Sequence, residues 1–226
     1  MALLKKLSNK ILLLRNEVSV AKQVWNTRSS TKWIKTLHNS AVDKTALIIG
    51  NGPSVQIPEL IKFSGVTTFA CNRFHLCYPQ TNFRPNYTCV IDSQMCQDFG
   101  MDIGHLSGGE RFIASQTVAL ETGSNFLPTF SHNDFEFQKL SQSRYIHSGH
   151  SVIISTIQLA YHLGFRNIFL YGVDHSFSRD IVVDPKNLKA SGDGNHFIKN
   201  YRSGKQWYPP KIQDIDKAFM ISKTFL

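Results

Sequence analysis

Short apolar runs alternate with longer mixed segments along most of this chain. Ala46, Leu47, Ile48 and Ile49 form the first run, and further runs rich in β-branched or aromatic residues predict strands over 45–49, 66–71, 87–91, 111–114 and 167–171. Residues 151–163 carry Val152, Ile153, Ile157, Leu159, Ala160 and Leu163 at helical spacing, and Gly164 follows as the helix stop. Residues 3–38 also read as helical, with Leu3, Leu4, Leu7, Ile11 and Leu14 on one stripe and Lys5, Lys6, Lys10 and Arg15 around it. The pattern fades over 178–204, and 214–225 resumes as the start of a helix that the parent chain can extend past Leu226. Strands alternating with helices predict an α/β fold, a doubly wound, Rossmann-like parallel sheet, preceded by an N-terminal amphipathic helical segment. The expected organisation is a basic helical segment over 1–40 and a nucleotide-sugar-binding domain over 41–226, with a lid-like loop at about 178–210.

In such sheets ligands bind beyond the carboxyl ends of the strands. The residues there are polar. Gly50-Asn51-Gly52-Pro53-Ser54 follows the first strand, Asn72 and Arg73 the second, Asp92 the third, and Gly172, Asp174, His175 and Ser176 the last. The glycine-rich turn is expected to offer bare N–H groups to a phosphate, with Ser54 capping a short helix after it. Ser148 and Gly149, at the opening of the long helix, form a second candidate anion site. Asn side chains donate and accept, which suits ribose and pyrimidine edges, and Asp92 suits a ribose or a divalent cation. His196, in the loop expected over the site, is a candidate base.

Composition narrows the field. With 226 residues there is room for one α/β domain, and no apolar stretch approaches the roughly 20 residues that span a bilayer. The formal net charge of +9 is concentrated before the first strand, at Lys5, Lys6, Lys10, Arg15, Lys22, Arg28, Lys32 and Lys35. That segment can lie on an anionic membrane face, on the domain or on a second subunit. The basic residues form no patch interleaved with aromatics, so nucleic acid is not an expected partner. Cys71, Cys77, Cys89 and Cys96 contain no Cys-x-x-Cys pair and read as buried thiols of a reducing, cytoplasmic compartment. No P-loop, Gly-x-Gly-x-x-Gly, nucleophile elbow or zinc spacing occurs, and no metal ligand is assigned.

The ordered set Gly50 to Ser54, Cys71-Asn72-Arg73-Phe74, Ser148-Gly149, and Ile168 through Asp174 resembles the bacterial lipooligosaccharide sialyltransferases and the DUF115 group of pterin diphosphokinase-like and flagellin-glycosylation proteins. The spacing of Arg84-Pro85-Asn86-Tyr87 before Val90-Ile91-Asp92 is closer to DUF115. The sialyltransferase resemblance implies a CMP-sugar donor held by Asn51, Asn72, Ser148 and Gly149. It also implies differences: Asp92 stands where that family has Asn, and Ser176 where it has a phosphate-binding Tyr. The position of that family's catalytic His reads Asn200, beside Tyr201, so His196 is the nearest substitute. The candidate catalytic residues are then His196, Tyr201 and Asp174. The expected donor site comprises Gly50, Asn51, Gly52, Pro53, Ser54, Asn72, Arg73, Asp92, Ser148, Gly149 and Ser176.

Together these lead to a glycosyltransferase that moves a sugar from a nucleotide-sugar donor, CMP-linked, to a cell-surface glycan acceptor. The alternatives are an ATP- and Mg-dependent diphosphokinase of the DUF115 type and a non-catalytic glycan-assembly protein. Peripheral contact with the inner face of the membrane and a homo-oligomer are further expectations.

Overall fold

The computed structural model describes residues 34–42, 44–131, 135–141, 143, 145–175, 195–205 and 212–226, and the backbone of 181–183 and 188–190. The strands are β1 (Thr45–Ile49), β2 (Thr67–Cys71), β3 (Tyr87–Val90), β4 (Glu110–Ile113), β5 (Asn125–Phe126), β6 (Thr129–Phe130), β7 (Ile146–His147), β8 (Asn167–Tyr171), β9 (Ile181–Val183) and β10 (Leu188–Ala190). The helices are α1 (Ser93–Leu106), α2 (Gln116–Thr122), α3 (Val152–Leu163) and α4 (Ile212–Lys223), with 3₁₀ segments at Ile57–Phe63 and Phe74–Gln80.

Six strands form one parallel sheet in the order β5-β4-β3-β2-β1-β8. The chain winds outward from β1 to β5 and then returns to β8 on the other side of β1. Strand order therefore reverses between β1 and β8, the place where a doubly wound sheet opens a ligand crevice. Side chains alternate between two faces, as a pleated strand requires. Ile48, Phe69, Cys89 and Phe112 point to the α3 side, among Ile154, Ile157 and Leu159. Leu47, Ile49 and Ala70 meet Leu60 and Phe74 on the other side, where Val90 and Ile113 meet Met95, Phe99 and Ile103 of α1.

α3 is the central helix. Its cap is Ser151, whose Oγ accepts from Ile153 N, and it stops at Gly164 in the left-handed conformation (φ 107°). Gln158 is fully buried on it and satisfied: Oε1 accepts from the amides of Gln138 and His147, and Nε2 donates to the carbonyls of His147 and Ile154. These bonds tie β7 and the 135–141 segment before it to the helix, as a buried amide must be tied.

Only the end of the N-terminal helical segment falls within the described residues. Residues 34–36 are helical, whereas 37–42 form turns that bond back to α3 through Asn39 N to His162 O and Ala41 N to Leu163 O. The expected helix to residue 38 therefore ends earlier, because the chain bends to meet α3. About half of the lid-like region lies outside the described residues. Within it β9 and β10 pair antiparallel, and 195–205 is a series of turns. Among the described residues no helix is long and apolar enough to cross a membrane.

His75 gives the fold a pH dependence. It is 6% exposed in the second 3₁₀ segment, and burial, with Arg73 adding to it, lowers its pKa to about 4. An unfolded His titrates near 6.5. Between those values the unfolded chain binds the extra proton, so stability rises with pH across this window and is lost as pH falls through it. The expected loss from pH 7.5 to pH 4 is on the order of 3 kcal/mol from this residue. Urea unfolding of the wild type and His75→Gln at both pH values checks it, with the variant showing the shallower dependence.

Candidate active site

The turn after β1 is pressed against the loop after β8. Gly50 N donates to Tyr171 O (2.8 Å), Gly52 N to Gly172 O (2.9 Å) and Ser54 N to Asp174 Oδ2 (3.0 Å). Pro53 has no N–H. This corrects the expectation of a bare phosphate cradle: the amides of Gly50, Gly52 and Ser54 already hold two loops together. The glycines serve close approach. A Cβ on Gly50 would lie 2.3 Å from Gly172 O, and one on Gly52 2.0 Å from Asp174 Oδ2. Ser54 caps no helix either. The 3₁₀ segment begins at Ile57, preceded by Gln56, and takes its start from Pro in the first turn rather than from a side-chain cap.

Above this junction lies a cleft of about 160 Å³. Its floor is Gly50 to Pro53, Cys71, Asn72 and Gly172 to His175. One wall is Ser151, Val152 and Ile153 at the start of α3, and the others come from Asn195, His196 and Tyr201 and from Ile215 and Phe219 of α4. Most ligand-engulfing pockets measure roughly 300–1,000 Å³. A cleft of this size encloses one ring or one phosphate of a larger ligand, the rest lying at its open mouth.

Two side-chain oxygens on the floor stand out. Asn51 Nδ2 donates to Cys71 O (2.8 Å), which turns Oδ1 away from that strand. Asn51 Oδ1 and Asn72 Oδ1 are both buried and have no hydrogen-bond partner among the described residues. A buried unsatisfied acceptor costs about 1–3 kcal/mol, so each calls for a donor. Asn72 also holds a left-handed backbone (φ 50°), as does His175 (φ 50°) on the same cleft. Such strained positions collect at functional sites.

The three expected catalytic residues all line the cleft. Asp174 uses one oxygen to pin Ser54. His196 stacks on Tyr201, with ring centroids 3.8 Å apart and planes 9° apart. Tyr201 is buried, its hydroxyl accepts from Arg73 N (3.3 Å), and burial holds its phenol far above the usual range. Cys71 is also buried there, and its thiol is pushed up to about 12.

The remaining donor-site candidates divide. Gly50, Asn51, Gly52, Pro53 and Asn72 line the cleft; Ser54, Arg73, Asp92, Ser148 and Gly149 do not. Arg73 lies beneath the 195–205 turns instead, donating through Nη1 to Tyr201 O and to Ser203 Oγ (3.2 Å), with its guanidinium 3.9 Å over the Phe99 ring. Asp92 is the exposed cap of α1, accepting from Met95 N (2.6 Å). The amides of Ser148 and Gly149 bond to Phe130 O and His147 Nδ1, which leaves Ser151 to Ile153, one step later, to face the cleft. Ser176 lies outside the described residues. Among the described residues no group of three or more His, Cys, Asp or Glu is arranged to hold a metal ion.

Sequence reasoning missed the contribution of α4. Asp214 Oδ2 lies 3.8 Å from His150 Nε2, and Asp216 Oδ1 lies 2.6 Å from His175 Nε2. An acid in the first turn of a helix, such as Asp214, is ordinary, and nothing in the sequence pairs it or Asp216 with those histidines.

A doubly wound parallel sheet with a cleft at its switch point defines a Rossmann-like α/β protein. Within that class the chain belongs to the 6-hydroxymethylpterin diphosphokinase MptE-like family, whose model matches residues 21–180. No curated protein matches the chain. The matched stretch includes β1 to β8 and the floor of the cleft. The 195–205 turns and α4 lie beyond it.

Proposed function

We propose that this chain is an ATP- and Mg-dependent transferase of the diphosphokinase type, which moves a diphosphoryl group to the hydroxyl of a small heterocycle. Family membership supports the reaction class. The observation that carries the reading is the pair of buried, unpartnered oxygens, Asn51 Oδ1 and Asn72 Oδ1, on the floor of a ring-sized cleft. They suit ring N–H, amino or hydroxyl donors of a heterocycle or ribose. The start of α3 on the adjacent wall favours the phosphate end of the same ligand. Mg²⁺ is commonly bound through substrate phosphates with one or two carboxylates; Asp92 caps α1 outside the cleft and is not one that faces it.

Glycosyl transfer from a CMP-sugar to a cell-surface glycan is the second reading. His196, the candidate base of that reading, lines the cleft wall and supports it. A cytoplasmic location goes with both readings and is supported by the four buried, unbridged thiols. Contact of residues 1–40 with the inner face of the membrane goes with the glycan reading.

Titration calorimetry with ATP, ADP, CMP, a CMP-sugar and 6-hydroxymethylpterin, with and without Mg²⁺, tests the proposal. Binding of Mg–ATP and of the pterin is the expected result. Asn51→Ala and Asn72→Gly, the latter keeping the left-handed backbone, should each weaken pterin or nucleotide binding about tenfold, as the loss of one buried hydrogen bond predicts. Binding of CMP and its sugar alone would favour glycosyl transfer, and no binding at millimolar concentration would sink both readings.

A further inference from the structure

We infer that His175, oriented by Asp216, is the proton acceptor of the transfer step, and that α4 is therefore part of the active site; this rests on the transferase reading above. His175 follows β8 at the switch point and lines the cleft. Its backbone is held left-handed, beside an Asp174 that is itself fixed to Ser54. Asp216 Oδ1 lies 2.6 Å from Nε2. An ionised carboxylate only accepts, so Nε2 carries the proton and Nδ1 is the ring's acceptor atom. A carboxylate behind an imidazole fixes the tautomer and stabilises the imidazolium that forms, the arrangement that prepares a histidine to act as a base. Phe219 meets the ring edge-on, with centroids 5.6 Å apart and planes at 79°, which fixes its plane.

The second base candidate, His196, is held differently. Its ring lies flat against Tyr201, and Tyr201 is fixed from beneath by Arg73. That geometry makes His196 a wall of the cleft. The dyad belongs to the fold as a whole: Asp216 is 41 residues from His175, and α4 is seated by buried Ile215 and Ala218 and by the contact of Asp214 with His150. The titratable groups at this wall are Asp174 on the loop of His175, His150 before α3, and Asp214 and Asp216 on α4.

The step balances. The acceptor's hydroxyl oxygen attacks the β-phosphorus of ATP, forming a new O–P bond. The bond from that phosphorus to the oxygen bridging it to the α-phosphate breaks, and AMP leaves with the electron pair. The hydroxyl proton passes to His175 Nδ1, and the imidazolium is held by Asp216.

The test uses the full chain with Mg–ATP and 6-hydroxymethylpterin, reading AMP release against pH. Asn tolerates a left-handed backbone, so His175→Asn is the first variant. It should lose roughly 10²- to 10⁴-fold in rate, keep its Mg–ATP thermal shift, and lose the acid limb of the rate–pH profile. Asp216→Asn offers an N–H to Nε2, forces the proton onto Nδ1, and should fall at least 10²-fold without loss of melting temperature. A purely structural His175 would lower the melting temperature and leave the acid limb in place. If the wild type releases AMP while His175→Asn keeps its rate, or if the acid limb disappears with His196→Asn instead, the assignment fails alone. If the wild type neither binds Mg–ATP nor releases AMP, the transferase reading fails and takes the assignment with it.

Discussion

Tyr201→Ala is expected to destabilise the protein by about 3–5 kcal/mol, the usual cost of emptying a large aromatic site. Tyr201 is 1% exposed and packs with Val90, Met95, Phe99 and Ile113 in the core beneath the 195–205 turns. Its hydroxyl accepts from Arg73 N, its carbonyl accepts from the Arg73 guanidinium, and its ring carries His196. Removing the ring therefore empties a core site and releases one wall of the cleft. For a chain of this length the loss corresponds to roughly 10 °C in melting temperature. Tyr201→Phe keeps the ring and removes one acceptor from a buried amide, so about 1–2 kcal/mol is expected. Thermal unfolding of the two variants, with hydrogen exchange over 195–205, separates the roles. Similar losses in both would mean that the hydroxyl, and not the buried ring, holds the loop.

Legibility in the sequence follows how local each determinant is. β1 and β8 run over 45–49 and 167–171 as the apolar runs predict, because each is a continuous apolar stretch closed by a glycine, Gly50 or Gly172. α3 was equally plain, from its apolar spacing and its Gly164 stop. α1 is obscured in the sequence, although Met95, Phe99 and Ile103 have helical spacing, because Gly100 and Gly104 interrupt it as weak helix formers. Both glycines have a packing reason visible only in three dimensions. A Cβ on Gly100 would lie 3.0 Å from Val118, and one on Gly104 2.4 Å from Thr122, both on α2. The 3₁₀ segments were hidden for a related reason: Pro58 and Pro79 read as breaks in short stretches that carry no long apolar period.

The site shows the same division. The rule that polar residues after parallel strands mark the ligand edge located Asn51, Asn72 and Asp174, all on the cleft. What each backbone N–H does could not be read from the glycine-rich turn, because its partners, Tyr171, Gly172 and Asp174, are more than a hundred residues away. Arg73 was misplaced for a similar reason. Its position after β2 suits an anion, yet its guanidinium turns under a loop whose buried anchor, Tyr201, is just as distant in sequence. The cleft thus has a floor encoded by local strand-end chemistry and walls encoded by long-range contacts from 195–205 and α4.

The junction between the two turns is the least tolerant part of that floor, and Gly50→Ala should lower stability by about 3 kcal/mol, at the upper end of ordinary overpacking. The added Cβ meets Gly172 O at 2.3 Å, a backbone atom that no side-chain rotation can move. Relief requires the turn after β1 to lift from β8, which breaks the Gly50 N to Tyr171 O bond and shifts Asn51, which lines the cleft. The melting temperature should fall by roughly 6–12 °C, with loss of whatever nucleotide or heterocycle binding the wild type shows. Gly65→Ala is the matched control: its added Cβ meets nothing within 4 Å, so a change within about 0.5 kcal/mol is expected. Equal melting temperatures for the two variants would mean that the β1 and β8 turns are not locked by close approach. A Gly50→Ala protein that unfolds early yet binds ligand as well as the wild type would detach this junction from the site.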